Sequence, residues 1–75
     1  MAKVGGNELV LQARAALRRS PIGALQQLQV DQTDERIVIS GTVRSFYQKQ
    51  LAQELVRAVT SGLRLINAVE VDRAG

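Results

Sequence analysis

The chain has 75 residues, a net charge of +3 and 45% apolar residues, nearly all of them aliphatic. That length makes one domain with a small core, burying only about 60% of the surface its unfolded form exposes. It holds no Cys and no His, so disulfides and thiolate metal sites are excluded, and the commonest general base and metal ligand are missing.

The stretch Met1 to Gly6 lacks the apolar region of a secretory signal. No run approaches the ~18 apolar residues of a membrane span. The expected location is cytoplasmic if these residues are the whole product, and is left open by the residues if they come from a longer precursor. Residues 1–7 read as a disordered end, because Gly5-Gly6 is a poor helix former, and Asn7 suits an N-cap. Residues 8–72 then form the folded domain and 73–75 the other end.

Helical spacing begins at Glu8, with Val10, Ala13, Ala16 and Leu17 on one stripe. Glu8 in the first turn and Arg18-Arg19 in the last would complement the helix dipole. Ser20-Pro21 ends the helix, since a residue before proline is pushed out of the α region. From Leu25 to Gln32, Leu28 and Val30 alternate with Gln27, Gln29 and Asp31, which predicts a strand with one wet face. Thr33-Asp34-Glu35 is a polar turn, and Arg36 to Val43 a second, β-branched strand. Gly41 inside that strand predicts close approach of a helix.

Ser45 and Gln48 read as a capping box for a second helix, whose apolar face runs Leu51, Ala52, Leu55, Ala58 and Val59. Gly62 suits a left-handed C-cap, and a third strand follows from about Ile66 to Asp72. The predicted class is α+β, in the order α-β-β-α-β, with a three-stranded mixed sheet and two helices packed on one face. The other face would carry Gln27, Gln29, Asp31, Ser40 and Thr42, with Val38 as its one strongly apolar residue.

The segment Ile39-Ser40-Gly41-Thr42-Val43 resembles the V-x-L-x-G-x-V core of BON domains. Gly62 to Val71 (Gly-Leu-Arg-Leu-Ile-Asn-Ala-Val-Glu-Val) is similar to the family's G-V-x-x-V-x-N-x-L-x-V ending. The resemblance spans roughly Glu8 to Asp72. The chain departs from the family at the hairpin, where Asp34-Glu35-Arg36 stands in place of a frequent glycine. The resemblance implies a non-catalytic domain that binds phospholipid membranes or attaches a larger protein to an envelope surface.

The residues agree with a binding module more than with an enzyme. Asp34 and Glu35 sit at a turn, Glu54 on a wet helix face, and no Ser, Thr or Lys has a base to activate it. No cofactor, metal or small-molecule substrate is expected. Arg14, Arg18, Arg19, Arg44 and Lys49 are expected to converge on one pole as an anion site, although two arginines at a helix C-terminus stabilise it without any ligand. Phe46 and Tyr47 are the only aromatic residues. At most one is expected in the core, the other packing on a loop or inserting at a bilayer interface. Two rival partners remain. Nucleic acid ranks lower, because the G-x-x-G loop of KH-like domains and an aromatic sheet face are both missing. The other is a protein partner at an open sheet edge.

Overall fold

The computed structural model describes the backbone of residues 4–60 and 62–72, and side chains from Glu8 onward. Its elements are α1 (Val4–Arg18), α2 (Gly23–Gln26), β1 (Gln29–Thr33), β2 (Arg36–Val43), α3 (Phe46–Val59) and β3 (Arg64–Val71). The sheet order is β1-β2-β3, with β2 antiparallel to β1 and parallel to β3. The predicted α+β class and the order of its five main elements hold.

The core follows from period-two alternation in the strands. Val30 of β1, Ile37, Ile39 and Val43 of β2 and Val69 of β3 are buried. They meet Ala13 and Leu17 of α1 and Ala52 and Val56 of α3 in one cluster. Every buried apolar side chain is aliphatic. The outward residues of β1 are exposed and polar, namely Gln29, Asp31 and Thr33. Val38 and Ile66, partners across β2 and β3, form a half-buried apolar pair at the centre of that outer face. The sequence reading anticipated only the first of them.

Three element starts differ from expectation. Helix α1 starts at Val4, so it runs through Gly5 and Gly6, and Glu8 falls beyond its first turn. Of the end expected to be disordered, residues 4–7 are helical and 1–3 lie outside the described residues. Strand β1 starts at Gln29, and the segment assigned to its beginning is instead the single turn α2. Apolar spacing from Leu25 to Leu28 fits a helical turn as well as a strand. Burial decides: Leu25 is 0% exposed, and α2 packs against both α3 and β2. Ser20 shapes the entry to this turn, since its Oγ accepts from Ile22 N at 3.1 Å and its carbonyl from Gln26 Nε2 at 2.7 Å. Gln27 is the C-cap of that turn and no part of a strand face. The last strand begins two residues early, at Arg64.

Gly41 has φ +129°, a conformation that side-chain-bearing residues rarely adopt. A Cβ there would stand 2.7 Å from Leu28 Cδ2. The neighbour is therefore the side chain leading into β1, where a helix was expected. Extending the β1–β2 register by one step places Leu28 opposite Gly41, so Leu28 fills the space the missing side chain leaves. Gly62, with φ +97°, lies two residues past the α3 C-cap Thr60. Thr60 closes the helix itself, its Oγ1 donating to the Val56 carbonyl at 2.8 Å.

Gly41→Ala combines backbone strain with overpacking, each about 1–3 kcal/mol, and should lower stability by about 2–6 kcal/mol in urea unfolding. In a Leu28→Ala background the overpacking is relieved and the strain stays, so the same substitution should cost only about 1–3 kcal/mol. Equal costs in the two backgrounds would show that Leu28 does not restrict residue 41.

Candidate membrane-facing site

Phe46 and Tyr47 open α3, directly after β2. Successive helical residues point about 100° apart, so at most one ring was expected in the core, with the other on a loop or at a bilayer interface. Both rings are outside. Phe46 is 67% exposed and Tyr47 70%. In a chain with two aromatic residues, neither contributes to the core.

The turn that carries them is fixed from two sides. Ser45 is the N-cap in extended geometry, its Oγ accepting from Gln48 N at 3.1 Å. Gln48 reaches back as a capping box requires, but its Oε1 accepts from Arg44 N at 2.9 Å and bypasses the N-cap residue. The box is thus shifted by one residue and holds the backbone of Arg44 against the helix start.

The second tie comes from Asn67, a position that the sequence motif contains without showing what it holds. Arg64 N donates to the Glu35 carbonyl and Asp72 N to the Val43 carbonyl. The even positions of β3 therefore bond β2, and the odd ones turn their main chain to the open edge. Asn67 is an odd position on the inner face. Its Nδ2 donates to the Lys49 carbonyl at 3.0 Å and to Gln53 Oε1 at 3.3 Å, while its Oδ1 accepts from Val69 N at 3.1 Å. One amide thereby ties the first turns of α3 to β3 and occupies an edge N–H.

The five basic residues expected at one pole are divided. Arg44 and Lys49 flank the aromatic pair, Arg44 exposed and Lys49 half-buried. Arg14 and Arg18, both exposed, line a groove with Gln26 to Asp31 along β1. Arg19 borders an apolar crevice with Leu55, Ala58 and Val59. Ala58 lies nine residues along α3 from Lys49, about 13 Å at 1.5 Å per residue. Arg19 is thus set at the far end of α3 from Arg44 and Lys49, because the C-terminal end of α1 lies beside the last turns of that helix. No helix among the described residues is long and apolar enough to cross a membrane.

Asn67→Ala removes three hydrogen bonds at once and should destabilise by about 1–3 kcal/mol in urea unfolding. The amide signals of Phe46 to Lys49 should move with it in NMR spectra. Unchanged signals there would mean that the Asn67 amide does not position the aromatic turn.

The BON domain family model matches residues 7–73 of the chain. Among curated proteins none matches closely enough to count as a relative.

Proposed function

Since the chain belongs to the BON domain family, we propose that it is a non-catalytic binding module that docks on anionic phospholipid surfaces through the Phe46–Tyr47 turn. The family is often linked to phospholipid or membrane binding and is generally non-catalytic. The observation that carries the reading is the exposure of both rings at one helix start, beside two cations.

Magnitudes say which group matters most. Each cation near an anionic membrane contributes about 1 kcal/mol, so Arg44 and Lys49 together give about 2 kcal/mol. Even a Kd of 1 mM needs about 4 kcal/mol. Charge alone is therefore too weak, and the rings, at home at headgroup depth, supply the rest. Charge brings the domain to the surface and the aromatic turn holds it there. No cofactor enters this reading. Nucleic acid fits less well, because the outer sheet face carries no aromatic platform.

Flotation with vesicles of phosphatidylglycerol and phosphatidylcholine tests the proposal. Binding should rise with the anionic fraction and weaken as salt shortens the screening length below about 10 Å. Phe46→Ser/Tyr47→Ser should abolish it, and Arg44→Glu/Lys49→Glu should reduce it at least about thirtyfold at low salt. Arg18→Glu/Arg19→Glu should do less. Wild-type binding that survives loss of both rings, or no binding at any anionic fraction, would overturn the reading.

A further inference from the structure

The groove along β1 is not used by the aromatic turn. It has a volume of about 400 Å³, with Arg14 and Arg18 of α1 on one side and residues 26–31 on the other. One wall is a helix and the other a sheet edge, the setting in which proteins accept an extended peptide as an added strand. The two-residue turn Asp34–Glu35 makes Thr33 and Arg36 a hydrogen-bonded pair. Gln29 and Asp31 then also face β2, and Val30 and Gln32 direct their N–H and C=O groups away from it, Gln32 half-exposed and Val30 covered.

Arg14 already occupies part of that edge. Its Nη2 donates to the Val30 carbonyl at 3.4 Å. Val30 is only 1% exposed despite standing on an edge strand. The bond is long, and the carbonyl is the acceptor that an incoming peptide N–H would take. A carboxylate is a better partner than a carbonyl for a guanidinium. Arg18 stands one turn along the same helix face, within reach of the same anion.

We infer that the groove between α1 and β1 binds an extended acidic polypeptide segment by strand addition, with Arg14 as its gate. An acidic side chain of the segment draws Arg14 off Val30, and a main-chain N–H replaces it on the carbonyl. Gln32 supplies the next donor and acceptor. Asp31 borders the groove and disfavours a second acidic residue beside it, which sets the direction and spacing of the charge. Lipid headgroups and nucleic-acid phosphates supply charge but no alternating donors and acceptors, so the edge selects a polypeptide. The opposite edge fits less well, because Asn67 holds the Val69 N–H with an amide that is itself fixed to α3.

A random nonapeptide phage library panned on the full chain tests this. Enriched sequences should carry Asp or Glu, and a synthetic copy of the strongest should shift the amide signals of Val30 to Gln32. Arg14→Gln/Arg18→Gln should weaken that peptide at least tenfold in fluorescence anisotropy. Gln32→Pro removes an outward N–H together with the side-chain bond from Nε2 to the Asp34 carbonyl and should also weaken it tenfold or more. N-methylating alternate amides of the peptide should do the same with the protein unaltered, which keeps the test sharp if Gln32→Pro fails to fold. No enrichment over the bare support, or peptides indifferent to N-methylation, would overturn strand addition. Loss of vesicle or oligonucleotide binding in Arg14→Gln/Arg18→Gln, with peptide binding unchanged, would reassign the groove to phosphate.

Discussion

A three-stranded sheet has one face to hide, and the central strand decides how well it is hidden. On β2 the alternation that buries Ile37, Ile39 and Val43 passes through Gly41, which has no side chain and stays exposed. Leu28 enters that vacancy from across the hairpin. The contact brings the end of the α1–α2 segment onto the sheet, sets where β1 can begin, and leaves α1 and α3 to roof the remainder. Cores tolerate aliphatic exchange when volume is kept, but Gly41 and Leu28 are not free to vary independently. They share one volume.

From that packing follows the position of the surfaces. Helix α3 starts where β2 ends, so its first turn stands at the sheet's rim. There the shifted capping box and the Asn67 amide hold it. The polar ties are placed so that the apolar rings need no protein partner. A turn fixed in advance loses little further freedom when it docks, which favours binding by a small area. The groove beside β1 arises from the same arrangement, since α1 passes over the strand and projects two arginines along its edge.

Much of this was legible in residues. Alternation in Arg36–Val43 and the three- and four-residue apolar steps of α3 fixed their type and facing, and Ser45 with Gln48 marked the helix start. The α2 turn was not legible, because Leu25 and Leu28 satisfy a strand and a helical turn equally, and only the space between α3 and β2 chooses. The extension of α1 through Gly5-Gly6 ran against local propensity. The site was readable as a set of residue types but not as a place. Arg14, Arg18, Arg19, Arg44 and Lys49 are all basic, yet the crossing of α1 with α3 separates them, and a crossing angle is not written in either helix alone. Asn67 was visible as a motif position whose purpose appears only once α3 lies over it.

The wholly aliphatic interior has a consequence for how the molecule reports on itself. With no Trp in the chain, Tyr47 is its principal intrinsic fluorophore, and it stands in solvent. Its emission and the near-ultraviolet dichroism of both rings carry little information on whether the interior is packed, and a faint aromatic signal is no sign of a molten state. The proposed docking would cover the same ring, which would make it a silent witness to folding and a direct one to contact.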